Sequence, residues 1–337
     1  PEEIEAVLGP ERGALARQWY GVGAEPNFEG GASILFRPER GDLVRPPEVE
    51  EARRLLFEAR GTRVRPGLDN KVLLEWNAMM SSALAEAAAA TGREDWRQAA
   101  VGIAQALLST HRRATDGRWL RSWREGRAEQ PAFAADYAWL VDAFTRLSEL
   151  TGEARFMALS QETADALLEL FRDEADGGLF TTGRDAERLI VRAKDHFDGA
   201  IPSANSVAAL ALSRLGALSG VSRYEEAARA IGEVAAPVMI EHPAAFPYGL
   251  LAAELQASGP IEVVVGNRAD LLSAVRQRFL PTAVLAWGEA YPSPLWEGRS
   301  SDLAYVCRDY ACLAPASTVD ELDRQLDEVG GPAHRPG

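Results

Sequence analysis

The sequence predicts a mainly α protein, a partial ring of helical hairpins of the α/α toroid kind with a small α/β segment appended near the C-terminal end. Two observations carry this. Apolar-periodic segments close at Thr91-Gly92, Thr151-Gly152 and Ser219-Gly220, so the pattern repeats at intervals of 60 and 68 residues. From Pro260 the texture changes to short β-rich apolar runs, IEVVVGN and TAVLAWG, on either side of one helical stretch, RADLLSAVRQRFL.

Each repeat reads as two helices with a glycine C-cap between them and an irregular loop after the second. The first runs to Gly92 and continues as REDWRQAAVGIAQALLSTHRR. The second is FAADYAWLVDAFTRLSEL followed by ARFMALSQETADALLELFRD, and the third is SANSVAALALSRLGAL followed by SRYEEAARAIGEVAAPVMI. Such hairpins bury their apolar faces by stacking, as an open solenoid or a closed toroid. The loops after the second helices then gather on one rim, where function should collect. About seven good helices fall between residues 72 and 257, whereas a closed six-hairpin ring needs twelve. Residues 1–60 supply two weaker helical candidates, read as part of the same toroid and joined by GAEPNFEGGASILFRPERG. Residues 61–258 hold the hairpin repeats and 259–320 a strand–helix–strand piece with parallel strands. Residues 321–337 form a tail with a short helix and a disordered Gly/Pro end.

A length of 337 residues, 47% hydrophobic and 26% charged, is that of a soluble globular chain. The net charge of −14 argues against nucleic acid or an anionic membrane as partner. No apolar run approaches the ~18 residues of a membrane span, and no signal peptide is visible, so the cytoplasm is the expected compartment. The chain opens at PEEIEAVLG without a Met. Cys307 and Cys312 do not make a disulfide framework, and their C-x4-C spacing fits neither a zinc pair nor a C-x-x-C redox motif. His196 is read as loop surface, His111, His242 and His334 show no metal spacing, and no phosphate-binding glycine loop or nucleophile elbow is present, so neither metal nor cofactor is expected.

Of 36 Lys and Arg residues only two are Lys, Lys71 and Lys194. Lys71 stands in PGLDNKVLLEWN at the start of the first good helix, where a cation opposes the helix dipole. Asp69 or Asn70 is a natural N-cap there, while Lys71 calls for a carboxylate or a bound polar ligand as partner. Trp76 is either core or a platform for a sugar ring, with Asn77 beside it. On the helix over 133–151, Asp136 extends an apolar stripe and points inward; it caps its own helix, pairs with an Arg such as Arg121, or serves chemistry. Asp142, on the mainly polar face, is read as solvent surface. VRAKDHFDGAIPSANS crowds Arg192, Lys194, Asp195, His196 and Asp198 ahead of a helix opened by Ser203, with Asn205 in its first turn. It is a solvated charged loop, or a ring of groups facing a cavity at a helix N-terminus.

LDNKVLLEWNAMM, RAEQPAFAADYAWL, VRAKDHFDGAIPSANSVAAL and AYVCRDYACLAP, with WYGVGAEPNFEGG near the start, resemble the spermatogenesis-associated protein 20-like family of thioredoxin-domain-containing proteins over nearly the whole chain. The resemblance implies a thioredoxin-like domain followed by an α/α toroid of the six-hairpin glycosidase type, with this chain corresponding to the C-terminal half. It also implies that the missing half is a partner. The family's pattern has an acid pair before Lys71 and another before Tyr137, where this chain has Asp69-Asn70 and Ala135-Asp136. Both departures weaken a strictly dyadic carboxylate role. The toroid superfamily includes glycosidases, sugar epimerases and unsaturated-uronide hydrolases, with sites in the funnel at one rim.

The expectation is therefore a small polar ligand such as a sugar. Asp69, Lys71, Asp136, Lys194 and Asp198 are the candidate catalytic groups, with Lys71 and Lys194 sharing one cavity with the three acids. Trp76, Asn77, Arg121, Tyr137, Arg192, Ser203 and Asn205 are the candidate binding groups. Hydrolysis would pair two carboxyls; epimerisation or isomerisation would use one base near neutral pKa. The alternative is a non-catalytic module that binds a protein or metabolite for an upstream thioredoxin-like domain.

Overall fold

The computed structural model describes residues 1–39, 41, 44–187 and 189–330. The Gly/Pro tail and His334 lie outside them. Its contacts divide the chain into two units, residues 1–69 and 70 onward.

In the first unit, α1 (Glu2–Trp19) and α2 (Pro47–Gly61) pack together. Leu8, Ala16 and Ala52 are buried between them. Helix α1 breaks at Gly9, whose φ of 76° suits the left-handed region, just before Pro10.

In the second unit, seven helices span 74–258: α3 (Leu74–Thr91), α4 (Glu94–Thr110), α5 (Ala134–Thr151), α6 (Ala154–Phe171), α7 (Ala204–Ser219), α8 (Ser222–Glu241) and α9 (Pro247–Ser258). Helices α3, α5, α7 and α9 pack side by side as an inner layer, and α4, α6 and α8 lie outside them. The turn glycines have the left-handed conformation expected of C-caps, with φ of 69° at Gly92, 71° at Gly152 and 72° at Gly220. The result is a partial ring of α/α hairpins, as the repeat implies.

The repeat extends into the rim loops. Arg113 N donates to Arg118 O and Gly117 N to Arg113 O; one hairpin later, Asp173 N donates to Gly178 O and Gly177 N to Asp173 O. The first rim loop holds structure that its turn-like sequence did not suggest. Strands β2 (Leu120–Arg124) and β3 (Arg127–Pro131) form a hairpin, and β1 (Val72–Leu73) joins its edge.

Asp142 is a correction. It is 2% exposed, because α5 is covered by α3, α6 and α7 at once and its polar face points into the protein. Ser82 donates to its Oδ2, and Arg146 Nε stands 3.5 Å from Oδ1.

After α9 the chain forms β4 (Ile261–Val265), α10 (Ala269–Arg276) and β5 (Ala283–Trp287), the expected parallel unit. Strand β6 (Ala304–Arg308) adds antiparallel to the other side of β4, followed by β7 (Ala311–Cys312) in the order β5-β4-β6-β7. Helix α11 (Val319–Gly330) buries Leu322 and Leu326 in this sheet's core. The cysteines are a second correction. Cys307 and Cys312 face each other across β6 and β7 and form a disulfide, because a two-residue turn brings a C-x4-C pair into register.

The sheet docks where the inner helices end. Trp287 Nε1 donates to Glu149 O at 2.6 Å, Leu285 N to the Glu149 carboxylate at 3.0 Å, and Tyr310 Oη to Gly216 O at 3.1 Å. Gly288 meets Gly152 so closely that a Cβ on it would lie 2.5 Å from Gly152 O. With that end of the hairpins occupied, the rim carrying the long loops and the N-termini of α3, α5, α7 and α9 is the other face.

Candidate functional site

Glu75, in the first turn of α3, was not singled out in the sequence, yet it is 3% exposed and lies at that rim. Its signal was an acid inside the apolar run VLLEWNAMM. Its side-chain ion pair is with Arg121 of β2, at 3.5 Å, and Arg121 also bonds Asp136 at 2.8 Å. Two buried carboxyls from neighbouring hairpins therefore flank one guanidinium, which lies 4.5 Å from the centre of the Phe133 ring. Burial pushes the Glu75 carboxyl above the ordinary range, and the charge of Asp136 adds to this while Arg121 opposes it. Asp195, exposed on the loop before α7, pushes Glu75 in the same direction. Burial likewise raises Asp136, against the pull of Arg121.

The two acids differ in what they have left to give. Asp136 is saturated: Oδ1 accepts Glu75 N at 3.0 Å, and Oδ2 accepts Arg121 at 2.8 Å and Phe133 N at 2.7 Å. Through Phe133 N it caps the start of α5, so both local expectations for it, helix cap and Arg121 partner, are met. Exchanging Asp136 for Asn is expected to cost about 1–3 kcal/mol in a denaturant melt, since a charged acceptor serving three donors becomes a neutral one.

The remaining candidates fall into two groups. Several serve as loop anchors. Lys194 bonds Asp173 at 2.6 Å and Gly177 O at 2.7 Å, so its carboxylate partner is Asp173 and not Asp136 or Asp198. That contact holds the Asp173 carboxyl below the usual range. Asp198 accepts Ser203 N with one oxygen and Tyr248 N and Gly249 N with the other, capping α9 from outside. Ser203 caps α7 through Ser206 N at 3.1 Å. Asn205 bonds Leu179 N and O and Asp195 O. Tyr137 is 1% exposed, accepts Arg118 at 2.7 Å and packs on Phe171, leaving neither hydroxyl nor ring for a ligand. Arg192 bonds Thr182 O and sits over Phe180, 4.1 Å from the ring centre. Asn77 donates to Leu73 O.

The second group is open to solvent. Trp76, beside Glu75 on α3, is 59% exposed, and Lys71 is exposed just before β1. Asp69 is exposed as the last residue of the first unit.

A cavity of about 580 Å³ lies away from these groups, between the inner helices and the sheet. Four of the charged side chains in its walls pair with one another, Arg146 with Glu86 at 2.5 Å and Arg214 with Glu149 at 2.7 Å. No group of three or more metal-ligating side chains occurs among the described residues. Nor is any helix there long and apolar enough to cross a membrane.

No family model matches the chain. Among solved structures, cellobiose 2-epimerase from Spirochaeta thermophila is similar over 49% of this chain and 43% of that one, at 18% identity and a TM-score of 0.42. Unsaturated glucuronyl hydrolase from Bacillus sp. GL1 is similar over 56% of each chain, at 17% identity and a TM-score of 0.40. An uncharacterised protein of Caenorhabditis elegans is 25% identical over 300 residues, 83% of this chain and 41% of its own length. Human spermatogenesis-associated protein 20 is 29% identical over 297 residues, which are 80% of this chain. The chain spans 38% of that relative's length, and it is a distant homologue of spermatogenesis-associated protein 20.

Proposed function

We propose that the rim is a carbohydrate-active acid–base site centred on Glu75, with Arg121 and the exposed Trp76 as binding groups. The observation that supports this reading most is Glu75 itself, a buried carboxyl raised by its surroundings whose ion pair with Arg121, at 3.5 Å, is long. Such a group holds a proton at higher pH than an ordinary glutamate and can hand it to a glycosidic or ring oxygen. Asp195, the exposed carboxylate closest in effect, is the complementary base. Two carboxyls with unlike surroundings match the acid/base division of glycoside hydrolysis and also serve a proton shuttle at a sugar carbon. Arg121 binds a hydroxyl or a uronate, and Trp76 stacks on the sugar face. Lys71, just before β1, is kept as an auxiliary candidate, and Asp69 as a candidate on its sequence position alone.

The test is a calorimetric screen of monosaccharides and uronides followed by turnover assays of whichever binds. Glu75→Gln is expected to lower kcat by about 10²- to 10⁴-fold while the thermal midpoint is kept. Activity of the parent protein should fall as pH rises through the Glu75 pKa, since protonated Glu75 is the donor. Undiminished turnover in Glu75→Gln, or no binding by any sugar, would end this reading.

A second reading is favoured by Lys194 and Asp198, which are fully engaged within the protein. On it the motif loops are rigid anchors and the domain binds a protein or metabolite without reaction. Glu75→Gln would then alter stability or binding and no turnover would be found.

A further inference from the structure

The Cys307–Cys312 hairpin lies at the other end of the second unit, and nothing in the rim reading uses it. Three features of this hairpin belong together. The two cysteines are directly opposed in register, joined by a turn whose central residues Asp309 and Tyr310 have φ of 48° and 62°. Neither is glycine, so the turn is held in a backbone region that side chains disfavour. The two sulfurs also differ in setting: Cys307 is 2% exposed, whereas Cys312 is only part-buried. Finally, Arg299 places Nη2 2.8 Å from Cys312 Sγ. Its guanidinium rests over the Tyr305 ring, 4.8 Å from the centre, and its Nε donates to Leu295 O, so the cation is held in place before any thiolate forms.

A cation fixed at that distance favours thiolate over thiol at Cys312, and it is the thiolate that attacks. Cys307 is buried and faces the buried Glu262 across β4 and β6, where a thiolate is unwelcome. We propose that Cys307 and Cys312 are a thiol–disulfide exchange couple, with Cys312 as the attacking and Cys307 as the resolving cysteine. In the reduced protein, Cys312 thiolate attacks one sulfur of a low-molecular-weight or peptide disulfide, and the other sulfur leaves as a thiolate. The Cys307 thiol then gives up its proton and attacks Cys312 Sγ, which expels the second substrate sulfur as a thiol. The substrate disulfide has gained two electrons and the hairpin is the oxidised product.

The experiment uses the whole chain, reduced and freed of reductant, and challenged with oxidised glutathione. Acid-quenched samples are digested and mapped by mass spectrometry. A glutathione adduct on Cys312 that gives way to the internal disulfide is the expected course. In Cys307→Ser the adduct should accumulate on Cys312. In Arg299→Met, with both cysteines present, its formation at pH 7 should slow by about tenfold, the pH midpoint for iodoacetamide labelling of Cys312 moving up by about one unit. An adduct appearing first on Cys307 would overturn the proposal. So would a disulfide that native protein keeps in excess dithiothreitol, or a Cys312 labelling profile that Arg299→Met does not move. The Arg299→Met and parent comparisons stand even if Cys307→Ser fails to fold.

Discussion

Arg214→Met is expected to lower the stability of the second unit by about 3–5 kcal/mol, the usual penalty for removing one partner of a buried ion pair. Arg214 is 2% exposed and joins three elements: Nη2 holds both Glu149 oxygens at 2.7 Å, and Nη1 donates to Ala283 O at the start of β5. Glu149 would keep Leu285 N as a donor but lose its counter-charge in the interior. A urea melt of the variant against the parent checks this. The double variant Arg214→Met/Glu149→Leu should regain much of the loss, because no unpaired charge is left buried. If Arg214→Met melts within about 1 kcal/mol of the parent, this node does not tie the sheet to α5 and α7.

Glu262 should give the second large effect, with the opposite sign at neutral pH. It is 1% exposed as the second residue of β4, and burial pushes its carboxyl from 4.5 up to about 7, with the charge of Asp309 adding to the rise. The sign follows from proton uptake. Between about pH 4.5 and 7 the folded chain holds a proton that the unfolded chain has released, so stability falls as pH rises through this window. The loss reaches about 3 kcal/mol and is complete above it. Glu262→Gln carries no titratable proton. It is expected to match the parent near pH 4.5 and to exceed it at pH 8 by up to about 3 kcal/mol. Thermal melts of both proteins from pH 4.5 to 8.5 would show the two curves separating. Parallel curves would mean that Glu262 is solvated in the native state.

Much of the helical layout was legible because it rests on local rules. Three glycine C-caps at regular spacing, each with an apolar segment ahead of it, describe a hairpin whatever it packs against. Asp142 shows where this stops. A helical wheel divides α5 into an apolar stripe and a polar face, but an inner helix with neighbours on all sides buries both, and only the ring determines that. Glu75 was passed over for a related reason: in a run of apolar residues one acid reads as an interruption, and its meaning comes from Arg121, 46 positions further on. The charged loop before α7 shows the reverse error. Lys194 and Asp198 do converge on the rim, but the groups they meet are Asp173 and the amides of α9, which spacing along the chain does not reveal. Nor did a C-x4-C spacing disclose a disulfide, since that depends on two strands being in register.

The scarcity of lysine has a practical consequence. Lys71 is exposed, while Lys194 keeps 17% of its side-chain surface and is bound to a carboxylate and a carbonyl. An amine-acylating reagent should therefore mark Lys71 at once and reach Lys194 only when the segment around Asp173 and Gly177 comes apart. With no other side-chain amine in the sequence to confuse the count, the ratio of the two labels measures how often that loop opens in the otherwise folded protein. It provides a local clock for breathing motions at the rim, read by a mass spectrometer and requiring no engineered probe.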